Sequence, residues 1–262
     1  MAKGSFKRKL NLFDLFFLGI GSIIGSGWLY AAQNGANIAG PSSWISWVIG
    51  AVIIIFIGVV YSELGAALPR AGGFVQYPDY THGSVVGYLI GFTSMIAYSA
   101  VIGIEAEAVR GYAAYWWEGL NHSDGSPTML GIGVQIALII LFFFLNYWSV
   151  NFLGKLNTVL TIYKFIVPLL IVIFLFANMD FSNFSVTQAK PGGIKGVFEA
   201  VTGAGIVFAF NGFRQPIEFA AESRKPQRDV PLAIILSVLV GLVIYLLLQF
   251  SFIGAVPHHM LS

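Results

Sequence analysis

The stretch Gly19-Ile20-Gly21-Ser22-Ile23-Ile24-Gly25-Ser26-Gly27 lies inside an apolar segment near the start of the chain. Each of its four glycines weakens a helix by about 1 kcal/mol relative to alanine. One interpretation is close packing of helices through small residues, which needs no function. The other is a helix that unwinds near the middle of a bilayer, where its freed N–H groups face an anionic group such as a carboxylate. Irregular backbone at that depth occurs only where it lines a cavity or is buried in protein.

The composition around this stretch is that of a membrane protein. Of the 262 residues, 57% are hydrophobic and 10% are charged, against about 25% charged residues in an ordinary soluble domain. Residues 15–62, 83–104, 125–154 and 230–262 contain no Asp, Glu, Lys or Arg. A helix needs about 20 apolar residues to cross the hydrocarbon core of a bilayer. We therefore expect an all-α integral membrane protein. The net charge of +2 does not suggest a nucleic-acid partner.

The apolar segments predict seven spans, with turns between them. Asn34-Gly35 and Gly40-Pro41 are turn signals after the first span, and residues 69–73 and 123–127 carry others after the second and third. The predicted spans are 12–36, 42–68, 84–116, 128–150, 156–178, 199–219 and 230–254.

The distribution of Lys and Arg predicts the orientation. With the N-terminus in the cytoplasm, the outer segments carry only Lys190 and Lys195. The inner segments then carry Lys3, Lys7, Arg8, Lys9, Arg70, Lys155, Arg214, Arg224, Lys225 and Arg228. This bias predicts a cytoplasmic N-terminus in a multi-pass protein of the cell membrane.

The sixth span contains a second interruption, Gly203-Ala204-Gly205, followed by residues 208–213. It lies five spans after the first interruption. Because five is odd, a second five-helix unit enters the bilayer from the opposite face, which is the arrangement of an inverted repeat. Paired interruptions at matching positions are typical of transporter binding sites.

Three stretches together resemble the amino acid–polyamine–organocation permeases, and most closely the bacterial aspartate–proton symporter group. They are residues 19–27, residues 61–73 (Tyr-Ser-Glu-Leu-Gly-Ala-Ala-Leu-Pro-Arg-Ala-Gly-Gly), and residues 208–212 followed by Glu222, Pro226, Arg228 and Pro231. The resemblance implies a fold of two inverted five-helix repeats with broken first and sixth helices. It divides the chain into a cytoplasmic N-terminus (1–11), a first repeat (12–178), an extracellular loop (179–196) and two helices of a second repeat (197–262). We therefore expect an incomplete second repeat and a truncated chain.

The resemblance also implies a substrate site between the two broken helices. In the family, backbone donors of the first helix bind the carboxylate of the substrate, and carbonyls of the first and sixth helices meet its amine. On this chain the matching residues are Ile23, Gly25, Ser26, Gly27, Phe208, Ala209, Asn211 and Gly212. Phe208 resembles the aromatic lid of the family, although a phenylalanine that faces lipid or the core explains it equally well.

Lys164 is an ionisable residue inside the fifth predicted span, and such residues are functional candidates by default. The alternative is a side chain that reaches back to the interface. The resemblance implies a role in proton coupling, since a matching lysine in relatives occupies the position of sodium in sodium-driven transporters. We predict that Lys164 contacts the broken first helix.

The roles of the other charged residues near the predicted site have more than one interpretation. Glu107 and Arg110 share a helix face and neutralise each other, or Arg110 attracts an acidic substrate. Glu105 lies on the stretch that lines the site in relatives, which makes it a candidate either for a second protonatable group or for contact with the substrate amine. Arg214 suits an anionic substrate side chain, or anchors the loop on its cytoplasmic side.

The predicted function is secondary active transport, with proton-coupled uptake of acidic amino acids such as aspartate. Exchange of neutral or cationic amino acids and a non-transporting amino-acid sensor are the alternatives. We expect no enzyme activity, cofactor or metal, because the sequence has no Walker motif, HExxH or GxSxG and no histidine cluster. The expected partners are an amino acid, a proton and the lipid bilayer.

Overall fold

The computed structural model describes residues 8–25, 27–70, 72–148, 150–184 and 193–256, and helices are the regular elements of that part of the chain. The longer ones are α1 (Leu12–Ile23), α2 (Gly27–Ala39), α3 (Ser43–Ala67), α4 (Gly73–His82), α5 (Ser84–Ala113), α6 (Met129–Trp148), α7 (Val150–Ala177), α8 (Gly193–Gly203) and α11 (Pro226–Ala255). The short helices α9 (Ile206–Ala209) and α10 (Gln215–Glu218) lie between α8 and α11, and 3-10 turns occupy 40–42, 181–184, 211–214 and 220–222.

The helices form two compact units. The first comprises the described residues of Met1–Tyr77 and Tyr163–Ser262, and the second is Pro78–Ile162. The predicted end of the first five-helix repeat, at residue 178, does not coincide with a boundary between these units. The division into repeats stays a prediction.

The predicted interruption of the first span is confirmed. Asn11 caps α1 by accepting hydrogen bonds from the backbone of Phe13 and Asp14, and the Asp14 carboxylate accepts one from the N–H of Asn11. The helix ends at Ile23, Ile24 adopts extended backbone angles, and a new helix begins at Gly27. Ser26 lies outside the described residues.

The predicted turn at Asn34-Gly35 is wrong, because both residues lie inside α2. The turn predicted at Gly40-Pro41 is confirmed: a 3-10 turn begins at Gly40, which has a positive φ of 57° that glycine adopts without strain. Gly35 serves close packing in the helix: a Cβ there meets Gln249 Oε1 at 3.1 Å and Ser43 Cβ at 3.5 Å.

The sixth span is interrupted as predicted, but its helix begins earlier. The helix α8 starts at Gly193, so the predicted loop 179–196 and the predicted start at 199 are wrong. Tertiary contacts stabilise the first turns of α8. Val197 and Ala200 are buried in the core, and Gly196 packs against the carbonyl of Ile38. The interruption itself follows Gly203, and Gly205 has a φ of +77°, a left-handed conformation that ends regular helix.

The helix α4 lies in a segment predicted as a loop, and sequence reasoning missed it. Gly72, with a φ of +79°, precedes it. The ring of Phe74 stacks on Tyr61 with centroids 4.4 Å apart, and Tyr77 is buried in the core. These contacts with the rest of the first unit compensate for Pro78 inside the helix.

Small residues let the long helices of the first unit approach closely. A Cβ on Gly58 of α3 is placed 2.7 Å from Ile234 of α11, and one on Gly19 of α1 overlaps Ser237 of α11. Packing of this kind, rather than burial of apolar surface from water, drives helix association in lipid.

Among the described residues, four helical stretches have the length and apolar composition to cross a membrane. They are Tyr30–Ala67, Ser84–Ala113, Leu160–Ala177 and Pro226–Ala255, and the shorter apolar helices are Leu12–Ile23 and Met129–Leu145. They overlap the spans predicted from the uncharged segments.

Candidate functional site

The ends of the two interrupted helices meet at one side chain in the first unit. The hydroxyl of Tyr245, on α11, lies 2.7 Å from the carbonyl oxygen of Ile23 and 3.3 Å from that of Ala209. Ile23 is the last residue of α1 and Ala209 is the last residue of α9. The carbonyls at the C-terminal end of a helix lack partners within it. The Tyr245 hydroxyl therefore bridges the two interrupted helices, with its one hydrogen placed between a carbonyl of each.

Aromatic rings hold Tyr245 in place. Its ring centroid lies 4.7 Å from that of Trp47 and 5.3 Å from that of Phe210, and Trp47 and Phe210 meet edge to face at 5.9 Å. Sequence reasoning missed Tyr245. The sequence does place a tyrosine in the uncharged segment 230–262. A hydroxyl inside a membrane span usually has a hydrogen-bond partner within the protein, so this residue could have been singled out.

Gly212 brings the sixth helix into backbone contact with the first. A Cβ at this position collides with the backbone N of Ile23 and the carbonyl carbon of Ser22. No side chain fits between these segments unless the end of α1 moves. The predicted residues Ile23 and Gly212 are thus brought together, with Gly212 as the point of closest approach.

The structure confirms that Lys164 contacts the broken first helix. Its Nζ donates a hydrogen bond of 2.8 Å to the carbonyl oxygen of Gly21, in the last turn of α1. Lys164 is half-buried. A cation near the C-terminal end of a helix interacts favourably with the helix dipole.

A second polar group ties α2, which follows the first interruption, to its neighbours. Gln249 is fully buried on α11, where its amide nitrogen donates to the carbonyl of Ala32 at 3.1 Å and its oxygen accepts from Trp47 Nε1 at 2.7 Å. This side chain links α2, α3 and α11. Such hydrogen bonds between helices in membranes contribute about 0.6–2 kcal/mol each.

Other predicted substrate residues lie beside this junction. Gly25 and Asn211 are half-buried, and Gly27 is exposed. The side chain of Phe208 is 52% exposed, so its predicted role as a lid stays a prediction. Ser26 lies outside the described residues.

Glu105 and Arg110 belong to α5 in the second unit. Arg110 is 2% exposed and donates to both carboxylate oxygens of Glu107 and to Asn121 Oδ1, while Gln135 Nε2 also donates to Glu107. These bonds favour the mutual neutralisation of Glu107 and Arg110 over attraction of substrate. Glu105 is exposed on the same helix, and its contact with a substrate stays a prediction.

Arg214 lies below the sixth-helix interruption and over an aromatic ring. Its guanidinium carbon is 5.5 Å from the centroid of Phe74 on α4, within the range of a cation–π interaction. Nearby, burial raises the pKa of the Tyr77 hydroxyl above its usual value, so this group stays protonated at neutral pH. The contact with Phe74 supports anchoring of the loop, and a role toward an anionic substrate stays a prediction.

Among the described residues, no group of three or more His, Asp or Glu side chains has the geometry to hold a metal ion. The junction instead offers backbone carbonyls, buried aromatic rings and one ammonium group.

An all-helical fold with several apolar helices, two of them interrupted and joined at their broken ends, defines a multi-pass membrane protein. The family model described as "Amino acid permease" matches residues 10–262. The chain belongs to this family.

The chain is similar to three proteins of Bacillus subtilis (strain 168). The chain is 46% identical to an aspartate-proton symporter over 97% of the chain and 49% of that relative. It is also 46% identical to the glutamate/serine transporter AimA, over 95% of the chain and 48% of the relative. The branched-chain amino acid permease BcaP is 28% identical over 97% of the chain and 56% of its own length. The chain thus spans about half the length of these curated relatives.

Proposed function

We propose that the protein is a secondary active transporter that couples the uptake of acidic amino acids such as aspartate to protons. The observation that carries this proposal is the junction itself. Tyr245 joins the broken ends of the first and sixth helices, and Lys164 binds the last turn of the first. Interrupted helices of this kind bind charged substrates near the middle of a membrane. The names of the two relatives at 46% identity support the acidic substrate and the proton.

The proposed site lies between the two interruptions. Freed N–H groups of the first helix receive the carboxylate, and carbonyls of both helices face the amine. The residues assigned to it are Ile23, Gly25, Ser26, Gly27, Phe208, Ala209, Asn211 and Gly212, with Glu105 as a further candidate. Because Tyr245 already bonds to the carbonyls of Ile23 and Ala209, a substrate amine competes with this hydroxyl or shares those carbonyls with it.

The contacts of the first unit support an inverted repeat. Such a repeat pairs α1 with α8, α2 with α10 and α3 with α11. The contact of α2 with α8 then corresponds to that of α10 with α1, and the contact of α3 with α8 to that of α11 with α1. The contacts of α2 with α3 and of α10 with α11 correspond in the same way. All six of these contacts are present.

The proposed location is the cell membrane, with the N-terminus in the cytoplasm. The bias of Lys and Arg toward one set of loops supports this orientation. We propose no enzyme activity, since the junction presents backbone groups and an ammonium rather than an activated nucleophile.

The test is uptake of labelled aspartate, glutamate and neutral amino acids into proteoliposomes that contain the protein carrying this chain. We expect accumulation of an acidic amino acid when an inward proton gradient is imposed, and its loss when a protonophore collapses the gradient. Uptake that requires an amino acid inside the vesicles, and is indifferent to the gradient, identifies an exchanger instead. Binding without uptake identifies a sensor, and the absence of both contradicts the proposal.

A further inference from the structure

A cleft of about 350 Å³ lies where α1 and α11 begin. Its lining consists of Asn11, Leu12, Phe13, Arg224, Lys225, Arg228 and Asp229. Three of these side chains are cationic and one is anionic, so the lining carries a net charge of +2. The transport site described above does not use this cleft.

The walls of the cleft are held together by backbone pairing. The N–H of Leu10 donates to the carbonyl of Glu222 at 3.0 Å, and the N–H of Arg224 donates to the carbonyl of Leu10 at 2.9 Å. The Nε of Arg224 also donates to the carbonyl of Lys9 at 2.9 Å. One guanidinium nitrogen is thereby fixed, which orients the rest of the group at the cleft. These bonds fix Arg224, an exposed cation, at one wall of the cleft.

The cationic side chains of this cleft lie at the positive end of a helix dipole, which is unfavourable for them. Helix N-termini favour acidic side chains because the helix dipole is positive there. The 30-residue helix α11 begins at Pro226 without a side-chain cap, and Lys225 directly precedes it while Arg228 lies in its first turn. Asp229 offsets one of these positive charges. An anion in the cleft relieves the remaining repulsion between the cations and the helix dipole.

The start of α1 does not supply the anion site. The N–H groups of Phe13 and Asp14 are already bonded to the side chain of Asn11, and the N–H of Asn11 is bonded to Asp14. The attraction for an anion comes from the three cationic side chains.

An apolar surface continues from the cleft along both helices. Phe13 lines the cleft and is 70% exposed, and Phe17 follows it one turn later on the same face of α1, also exposed. On α11 the exposed residues Leu232 and Leu236 follow Arg228 at intervals of four. A cationic cleft that opens onto apolar helix faces matches an amphiphile with an anionic head.

We propose that this cleft binds the phosphate headgroup of an anionic glycerophospholipid, with its acyl chains along the exposed faces of α1 and α11. Basic clefts between helices at the membrane surface recognise such headgroups. Under the orientation proposed above, the lipid belongs to the cytoplasmic leaflet. The binding does not depend on transport, so its failure and that of the proposed function are separable.

The test is native mass spectrometry of the purified chain in detergent, titrated with phosphatidylglycerol. We expect a saturable first binding event that phosphatidylcholine does not produce, and that weakens as the salt concentration rises. Arg228→Gln is expected to weaken this event at least fivefold, and Arg228→Lys, which retains the charge, is expected to restore most of it. Lys195→Gln removes an exposed cation outside the cleft and serves as the matched control.

Two results overturn the proposal. One is equal binding of phosphatidylglycerol by the native chain and by Arg228→Gln in folded protein, which thermal unfolding in the same detergent verifies. The other is complete competition by inorganic phosphate at concentrations equal to those of the lipid, since this makes the cleft a site for a soluble anion.

Discussion

The hydroxyl of Tyr245 has one hydrogen and two carbonyl neighbours, so the hydrogen is either shared or exchanged between them. The shorter distance, 2.7 Å, is to Ile23, and the longer one, 3.3 Å, is to Ala209. A movement of either broken helix changes this balance. The residue therefore acts as a positioning group for both sides of the proposed site.

We expect Tyr245→Phe to lower the affinity for substrate while the protein stays folded. The ring contacts with Trp47 and Phe210 remain, and the lost hydrogen bond contributes about 0.5–1.5 kcal/mol. The measurement is the KM and the maximal rate of uptake, with a rise in KM of several-fold expected. Tyr163→Phe removes an exposed hydroxyl of the same unit and should leave KM unchanged. An unchanged KM in Tyr245→Phe contradicts the positioning role.

We expect Lys164→Met to abolish the response of uptake to the proton gradient. The substitution keeps much of the aliphatic stem but removes the ammonium that binds Gly21. The measurement is accumulation at a series of external pH values, with at least a tenfold loss expected at acidic pH. Exchange of internal for external substrate should persist, because the site itself remains. Full accumulation driven by the gradient in this variant contradicts the coupling role.

Sequence alone predicts the interruptions but not the groups that join them. The end of α1 at Ile23 follows from local glycine content, since each glycine lowers the helix propensity of the segment in any tertiary context. Tyr245 is separated by more than 200 residues from Ile23, and only the packing of α11 against α1 brings them together. The contact of Lys164 was predictable only through resemblance to relatives.

At the scale of helices, the crossing of the two interrupted segments depends on Gly212. A Cβ there collides with backbone atoms of α1, and backbone cannot rotate away as a flexible side chain can. The neighbouring Gly203 is different: a Cβ at that position makes only ordinary contacts, at 3.6 Å from Ile38 and 4.0 Å from Glu199.

We therefore expect Gly212→Ala to displace the end of α1 and to eliminate uptake. Overpacking of this kind costs about 1–3 kcal/mol, which should also lower the midpoint of thermal unfolding. Gly203→Ala, in the same interrupted span, should retain both uptake and thermal stability. Equal behaviour of the two variants contradicts the assigned close approach.

The second unit holds its own charged cluster at the end of α5. Glu107 accepts from Arg110 and Gln135, which lie on α5 and α6, and Arg110 also reaches Asn121 in the loop between them. Because Arg110 is buried, removal of its anionic partner leaves a charge that water reaches poorly.

We expect Glu107→Gln to destabilise this unit by about 1.5–3 kcal/mol, the range for a hydrogen bond to a charged group. The measurement is chemical or thermal unfolding in detergent micelles. Glu118→Gln removes an exposed carboxylate from the same loop and should change the stability little. A null result for Glu107→Gln instead favours the alternative that Arg110 serves the substrate.

The helix α4 lies between the predicted spans 42–68 and 84–116, where the sequence predicts turns and no helix. Proline and glycine in that segment are turn signals, and Pro78 disfavours a helix on local grounds. The helix forms because Phe74 and Tyr77 pack against other parts of the first unit. Local propensity is a weak prior, and tertiary contacts override it.

For the molecule as a whole, the orientation in the membrane decides which interruption opens to which side. It rests on the distribution of Lys and Arg. The orientation can be tested across α5, because His82 precedes this helix and His122 follows it. At about 1.5 Å per residue, its 30 residues extend far enough to separate these histidines to opposite sides of a bilayer.

We expect a membrane-impermeant maleimide to label His122→Cys in intact cells and to label His82→Cys only after the membrane is permeabilised. The chain has no cysteine, so each variant carries a single thiol and the unsubstituted chain is the background control. Both positions are exposed, so a difference in labelling shows on which side of the membrane each residue lies and not how deeply it is buried. The opposite labelling pattern reverses the orientation and moves the proposed lipid cleft to the outer leaflet. Labelling of both positions in intact cells contradicts the assignment of α5 as a membrane span.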